Sequence, residues 1–146
     1  MTDDAYAVRR EVLGDEYVDR AASAASEFSA PWQEYVTRHA WGAVWTRPGL
    51  DRRTRSMLTV ALLTALGHQH ELGIHVRAAI RNGVTAAELG EVLTHTAVYA
   101  GIPAANTAFG IAQQVLADLG VSEAVSPPPI AVSSPPEAPP EVAGSA

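Results

Sequence analysis

Apolar and small residues recur at helical spacing along residues 1–120. No stretch combines strict polar–apolar alternation with the turn residues that bound a β-strand. The pattern therefore predicts an all-α bundle of about six helices. The expected helices lie at about 15–28, 31–47, 52–66, 68–81, 86–100 and 103–119.

Capping residues set the expected helix boundaries. Pro31 suits the first turn of a helix, and Asp51 is a good N-cap for the helix that follows it. Gly67 can end that helix, because glycine readily adopts the left-handed conformation of a helix C-terminus. Thr85 and Glu88 have the spacing of a capping box. These signals place the third to fifth helices most firmly.

The composition changes sharply after Gly120. Seven of the ten prolines lie in the final 20 residues, among small residues and a few Glu. Such a segment cannot bury enough apolar surface to offset the entropy of ordering it. We therefore expect a helical domain over 1–120 and a disordered, Pro-rich tail over 121–146.

The middle helices are unusually apolar for a chain of this size. The segments SMLTVALLTAL and TAAELGEVLTHTAVYAGIPAANTAFGIA offer little charged surface. A helix that is apolar nearly all round needs burial on several sides. Two interpretations remain open, namely a homo-oligomer that covers these faces and a monomeric bundle with these helices at its centre.

Two residue types are missing, and their absence excludes whole classes of chemistry. The sequence has no Cys, which excludes disulfides, thiolate nucleophiles and Cys-ligated zinc. All ten basic residues are Arg, so no Lys can form a Schiff base with a substrate or pyridoxal phosphate. Catalysis must therefore use His, Asp, Glu, Arg, Tyr, Ser, Thr, backbone amides or an added metal.

The net charge and the N-terminal sequence limit the classes of partner and the expected location of the protein. A formal charge of −6 argues against a nucleic-acid surface, which requires a basic stripe. The N-terminus has an acidic start without the apolar run of a signal peptide, and the apolar stretch 57–66 is too short to span a bilayer. We expect a cytoplasmic protein that binds neither nucleic acid nor membrane.

The densest group of titratable residues is the segment 68–75, which contains three of the five histidines. On a helix, His68, Glu71 and His75 fall within about 60° of one another. Glu71 and His75 are separated by four residues, so the carboxylate can orient the imidazole and raise its pKa. The pair can serve as a general acid and base. The alternative is an ordinary Glu–His pair on a solvated helix face.

Metal binding is a competing interpretation of this segment. His70 and His75 are five residues apart and diverge around the helix, so the zinc-binding H-E-x-x-H spacing is not met. His68, Glu71 and His75 formally provide two His and one carboxylate, but they span about 10 Å along the helix axis. We therefore expect no metal.

A second cluster combines four Arg within nine residues at a loop and a helix start, at positions 47–55. Arg side chains bind carboxylates bidentately, and the free N–H groups of a helix N-terminus add to the attraction for anions. Arg47 and Arg55 are the candidates for binding an acidic small molecule. Arg52 and Arg53 fit the alternative for all four, which is solvated or intersubunit ion pairs.

Five aromatic or imidazole side chains are weaker candidates for a pocket. Trp41 and Trp45 are four residues apart, as are His95 and Tyr99, and His39 lies nearby in sequence. Each pair more often packs in a core, with its polar atom satisfied, than lines a ligand site. No Gly-rich phosphate loop or nucleophile elbow is present in the sequence.

The sequence resembles the carboxymuconolactone decarboxylase family over nearly all of residues 8–120. The similar segments are VRREVLGDEYVDRA, WGAVWTRPGL, TRSMLTVALLTALG, ELGIHVRAAIRNGVTAAEL and HTAVYAGIPAANTAF, in this order. The wider superfamily includes disulfide reductases marked by C-x-x-C-x-x-x-H. Here the same spacing reads His68-x-x-Glu71-x-x-x-His75, so both thiols are missing and only the His is kept.

This resemblance implies the decarboxylase branch, an alkylhydroperoxidase-like helical fold and homo-oligomers, commonly hexamers. The implied reaction is cofactor-free decarboxylation of 4-carboxymuconolactone to 3-oxoadipate enol-lactone in bacterial protocatechuate catabolism, the β-ketoadipate pathway. The substrate is a lactone with two carboxylates. Loss of carbon dioxide sends electrons through the ring to the lactone carbonyl, so the substrate is its own electron sink.

Combined with the residue patterns, the resemblance gives a catalytic hypothesis. His75, oriented by Glu71, donates a proton to the dienolate, and Arg47 and Arg55 bind carboxylates or polarise the carbonyl. Trp41, Trp45 and Tyr99 form walls of the site, and His39 or His95 shares the oxyanion role. The alternatives are a relative that acts on another lactone or enol substrate, and a non-enzymatic helical scaffold.

Overall fold

The computed structural model describes residues 2–122, with side chains from Asp4 onward. This part of the chain consists of seven α-helices and one π-helix, without a β-strand. The elements are α1 (Thr2–Leu13), α2 (Asp15–Ser23), α3 (Ala30–Val36), the π-helix (Thr37–Trp45), α4 (Arg52–Leu66), α5 (Gln69–Arg81), α6 (Ala86–Ala100) and α7 (Ile102–Asp118). The predicted all-α class is confirmed. The predicted tail beyond Ser122 lies outside the described residues, so the division at residue 120 stays a prediction.

Local capping chemistry explains why the C-terminal half of the domain matches its prediction. The Asp51 carboxylate accepts a 2.6 Å hydrogen bond from the backbone N–H of Thr54 at the start of α4. Gly67 ends α4 in the left-handed conformation, with φ of 74°. The capping box before α6 is complete: Glu88 N–H donates to Thr85 Oγ1 at 3.2 Å, and Thr85 N–H donates to Glu88 Oε2 at 2.9 Å.

The N-terminal half differs from the prediction. The first predicted helix, at 15–28, ends already at Ser23, and a further helix, α1, precedes it. Charged residues make up much of α1, so its apolar stripe is narrow. The sequence pattern alone therefore did not predict this helix, and its part in the core is evident only from its packing against neighbouring helices. Gly14, with φ of 92°, separates α1 from α2, in a backbone conformation that favours glycine.

The second predicted helix, at 31–47, changes its hydrogen-bonding register after Val36. Its first part is α3, and residues from Thr37 to Trp45 continue as a π-helix with i→i+5 hydrogen bonds. This π-helix and α1 form the most extensive contact between elements of the described chain. A π-helix of this length is rare, and such segments concentrate at functional sites.

Two buried clusters share α5. One lies between α4, α5, α6 and α7 and contains Val60, Leu72, Val76, Leu89, Leu93 and their neighbours. The other lies between α1, α2, the π-helix and α5 and contains Ala5, Val12, Val18, Trp41 and Ala78. Because α5 contributes to both clusters, it crosses the middle of the domain and carries His75 with it.

The single chain leaves one face of its most apolar helices uncovered. Leu58, Leu62 and Leu66 follow one another at four-residue spacing along α4, and Leu62 is 60% exposed. Val98, Tyr99 and Ile102, around the α6–α7 junction, are also exposed. The interpretation that these helices are the centre of a monomeric bundle is therefore wrong for this part of α4 and α6. No described helix is both long and apolar enough to cross a membrane.

Candidate active site

His75 lies on α5 beside two tryptophans of the π-helix. The centroid of its ring is 6.4 Å from that of Trp41 and 6.5 Å from that of Trp45. The two indoles are 5.1 Å apart and tilted by 32°. Trp41 is only 5% exposed, while Trp45 and His75 are partly buried. The structure thus brings together three candidates that the sequence places on different helices.

Burial, rather than a charged neighbour, dominates the electrostatics of His75. Desolvation lowers the pKa of its imidazole from 6.5 to about 4, and the Glu71 carboxylate opposes this shift only in part. Nδ1 is enclosed and has no hydrogen-bond partner among the described residues. The expectation that Glu71 raises the pKa of His75 above its usual value is therefore wrong, because the penalty for charging a buried ring is larger than the attraction. The resting imidazole is neutral at pH 7.

Glu71 and His68 do not form the hydrogen-bonded contacts with His75 that the helical spacing predicts. Both side chains are exposed, and no hydrogen bond in the described part of the chain joins Glu71 to His75. His68 is the N-cap residue of α5, outside its helical backbone. Residues 2–122 contain no group of three or more His, Asp or Glu side chains placed to hold a metal ion.

Arg47 and Arg55 are joined, but through a backbone group. Arg55 Nη2 donates a 3.0 Å hydrogen bond to the carbonyl oxygen of Arg47, which ties α4 to the loop before it. Arg55 Nε is enclosed without a partner in the described chain, and Arg47 is exposed. Arg52 forms an ion pair with Glu11, and Arg53 with Glu88. Arg52 and Arg53 therefore form ion pairs, as predicted, and both pairs lie within one chain.

The other candidates lie apart from His75. The ring of His39 contacts that of Tyr35, with centroids 4.2 Å apart and an angle of 39° between the planes. His95 and Tyr99 contact each other on α6, with ring centroids 5.1 Å apart, and both are exposed. Among residues 2–122, no ring contact or hydrogen bond connects these side chains to His75.

Two of the surface grooves of the described domain border α4. One, of about 430 Å³, runs between α4 and α6 and is lined by Met57, Leu58 and His95, among others. A smaller one, of about 190 Å³, lies between the end of α4 and the starts of α5 and α7. Neither groove contains His75. We place the candidate active site at His75, because this partly buried titratable group with a strongly lowered pKa lies beside the aromatic pair of Trp41 and Trp45.

Sequence reasoning missed one buried charged residue. Arg9 on α1 is 6% exposed and donates through Nη1 to Thr37 Oγ1 at 2.9 Å and through Nη2 to Gln33 Oε1 at 3.0 Å. Its position between Ala5 and Val12 at spacings of four and three residues marked it as facing the core. That signal was available only once α1 was known to be a helix.

The sequence profile of the carboxymuconolactone decarboxylase family matches residues 30–114. The chain belongs to this family. The matched range runs from α3 to α7 and so includes the π-helix with its two tryptophans and His75.

Individual relatives agree with this assignment. The chain is 48% identical over 115 residues to a 4-carboxymuconolactone decarboxylase of Acinetobacter baylyi, which covers 79% of this chain and 86% of the relative. It is 46% identical over 119 residues to the nitrosuccinic acid decarboxylase npaB of Metarhizium robertsii, over 82% of this chain and 83% of the relative. A shorter match, 51% identical over 35 residues, is to a 4-carboxymuconolactone decarboxylase of Pseudomonas putida and covers 24% of this chain and 73% of the relative.

These relatives are decarboxylases that act on different acids, so this member of the carboxymuconolactone decarboxylase family is a carboxy-lyase. The chain is about equally similar to the relative that acts on 4-carboxymuconolactone and to the relative that acts on nitrosuccinic acid. The comparisons therefore do not decide which of these acids is its substrate.

Proposed function

We propose that the protein decarboxylates 4-carboxymuconolactone to 3-oxoadipate enol-lactone without a cofactor. The observation that carries this proposal is the partly buried His75 beside Trp41 and Trp45, inside the range that the family profile matches. The identity to the Acinetobacter baylyi relative supports this substrate. The proposal places the enzyme in the cytoplasm, in protocatechuate catabolism by the β-ketoadipate pathway.

The reaction requires only that the protein bind two carboxylates, tolerate a developing oxyanion and deliver one proton. The bond between the ring carbon and its carboxylate breaks, and carbon dioxide leaves. The electron pair moves through the ring double bond to the lactone carbonyl oxygen and forms a dienolate. Protonation of a ring carbon then restores the carbonyl and gives the enol-lactone. No external electron acceptor enters this balance, in keeping with a chain that has no Lys.

His75 is the proposed proton donor. Its low pKa of about 4 means that the free enzyme holds a neutral ring, so the imidazole must take up a proton from solvent when the substrate binds. A bound dicarboxylate raises the pKa of a neighbouring imidazole, because opposite charge favours the protonated form. We assign the transfer to Nε2, since Nδ1 is enclosed. Glu71, which already favours the protonated ring, adds to this effect without a hydrogen bond to it.

Arg55 and Arg47 are the proposed anion-binding residues. Arg55 is held by its Nη2 bond to the Arg47 carbonyl, which leaves Nη1 without a hydrogen bond among residues 2–122 and able to bind a carboxylate. The tryptophans supply an apolar wall beside the departing carboxylate, where a dispersed charge is favoured over a localised one. His39, His95 and Tyr99 make no ring contact or hydrogen bond with His75 among residues 2–122, and we propose that their part in the site depends on a second subunit.

A second candidate substrate is nitrosuccinate, because the relative that acts on it is 46% identical. The two acids share one unit, a carbon that carries a carboxylate, an acetate arm and an electron-accepting group. In nitrosuccinate the acceptor is the nitro group, and the electron pair that carbon dioxide leaves behind is held as a nitronate. The same His and Arg residues therefore suit both reactions, and the pocket must decide between a flat ring and a small nitro group.

We further propose that the active form is a homo-oligomer, with a hexamer as the expected size. The exposed apolar side chains of α4 and of the α6–α7 junction support this, because soluble monomers seldom leave such faces in water. A Tyr99 that is 79% exposed in the single chain would then be covered by another subunit.

The test of the function is a spectrophotometric assay of the purified full chain with chelator present. Carboxymuconolactone is generated in situ from carboxymuconate, and nitrosuccinate is supplied in a parallel reaction. We expect turnover of the lactone with a higher kcat/KM than that of nitrosuccinate. A preference for nitrosuccinate would reverse the order of the two candidates. Turnover of neither acid would refute the substrate proposal.

A further inference from the structure

Arg9 is a buried cation whose hydrogen-bond acceptors are both neutral. Its guanidinium binds the Thr37 hydroxyl and the Gln33 side-chain carbonyl, and Nε has no acceptor among the described residues. Desolvation lowers its pKa from the usual value, in agreement with the lack of a carboxylate. Burying a charge on neutral acceptors costs free energy that an apolar side chain of similar size would not. At this position Arg9 is therefore expected to stabilise the fold less than an apolar side chain of similar size would.

The two acceptors stand on either side of a change in backbone register. Gln33 lies in α3, and Thr37 is the first residue of the π-helix four residues later. The planar guanidinium thus spans the junction at which i→i+4 hydrogen bonds give way to i→i+5 hydrogen bonds. A π-helix is rare and needs support from its surroundings, and a two-pronged donor at its first residue supplies that support.

The positions of the two active-site tryptophans depend on this junction. Trp41 and Trp45 come four and eight residues after Thr37 in the same π-helix, and both contact the His75 ring at centroid distances of 6.4 and 6.5 Å. Gly42 lets the π-helix approach α1 closely, since a Cβ built at this position lies 3.2 Å from the Ala5 side chain. A change of register at Thr37 would rotate the indoles away from His75.

We propose that Arg9 is a positioning residue for the decarboxylase site: by bridging Gln33 and Thr37 it fixes the π-helical register that sets Trp41 and Trp45 beside His75. This inference rests on the proposed function insofar as it concerns catalysis. Arg9 itself lies on α1 and donates its hydrogen bonds to Gln33 and Thr37. It therefore acts through the π-helix rather than on the substrate.

The geometric part of this inference is testable without any substrate. Two indoles 5.1 Å apart give an exciton couplet in far-ultraviolet circular dichroism, and Trp45→Phe shows which part of the signal comes from the pair. Thr37→Val removes the hydroxyl but keeps the side-chain volume and the Arg9–Gln33 bond, whereas Thr37→Ser keeps the hydroxyl. Arg9→Met removes both bonds. Arg10→Met is the matched control, because the neighbouring Arg10 pairs with Asp15 and Asp19 at the surface.

We expect Thr37→Val and Arg9→Met to weaken the couplet while the overall helix content stays the same, and Thr37→Ser and Arg10→Met to keep it. In the decarboxylation assay the first two variants should lose kcat by roughly tenfold or more with little change in KM, because a small displacement of positioned groups acts on the chemical step. If Arg9→Met does not fold, Thr37→Val decides alone.

A Thr37→Val variant with an unchanged couplet and an unchanged kcat would overturn the inference. So would a loss of couplet that only parallels a loss of helix content, since Arg9 would then merely stabilise the fold. If the parent protein turns over neither acid, the proposed function fails, and the couplet alone still decides whether Arg9 sets the register.

Discussion

The His75 imidazole lies nearly parallel to the Trp41 indole, with an angle of 7° between the two planes and 6.4 Å between the ring centroids. Trp41 is buried by α1, α2 and α5, so one side of the histidine faces an apolar wall. Burial lowers the pKa of His75, and the indole is part of the apolar surroundings that bury the ring.

Replacement of His75 tests its role as proton donor. We expect His75→Ala to lower kcat about 100-fold or more, because general acid catalysis typically contributes that much. His70→Ala is the control, since His70 is exposed on the same helix. Circular dichroism and thermal unfolding should show both variants folded. Near-normal turnover by His75→Ala would remove His75 from the mechanism.

The stability of the protein should depend on pH through His75. Its folded-state pKa of about 4 lies below the usual 6.5, so the unfolded chain binds a proton more readily. The stabilisation is therefore complete above about pH 6.5 and is lost as the pH falls towards 4, by an amount on the order of 3 kcal/mol. Urea unfolding at a series of pH values measures this loss. His75→Phe should show a shallower decline over the same interval, and an equal decline would assign the effect to other groups.

Arg55 should matter more than the arginines beside it. We expect Arg55→Met to reduce kcat/KM by roughly 10- to 100-fold, the value of a charge-assisted hydrogen bond to a substrate carboxylate. Arg52→Met removes an exposed ion pair with Glu11 and should leave kcat/KM nearly unchanged. Steady-state kinetics with the lactone measures both variants. Equal effects of the two substitutions would mean that this cluster acts through its overall charge.

The exposed apolar face of α4 should hold subunits together. We expect Leu62→Glu to yield smaller species than the parent protein, because it places a charge where an apolar contact is proposed. Gln113→Glu, at an exposed polar residue of α7, is the control. Light scattering coupled to size-exclusion chromatography measures the mass of each species. A monomeric parent protein would refute the oligomer, and an unchanged mass of Leu62→Glu would exclude α4 from the interface.

The sequence by itself determined the helices whose ends are fixed locally. The Asp51 cap, the left-handed Gly67 and the Thr85–Glu88 box are decided by residues next to them in the chain, so both ends of α4 and the start of α6 could be placed without tertiary contacts. The absent Lys and Cys excluded Schiff-base, thiolate and disulfide chemistry in the same direct way. The family segments further indicated a decarboxylase, which the relatives confirm.

The tertiary structure decided what depends on partners distant in sequence. Helical spacing paired Glu71 with His75, yet the buried environment that tryptophans of another helix help to create has the larger effect on that imidazole. The π-helix also escaped prediction, because its register depends on packing against α1 and on the hydrogen bond from Arg9 to Thr37, 28 residues away. Spacing along one helix shows which side chains are neighbours, but burial and backbone register arise only when separate helices meet.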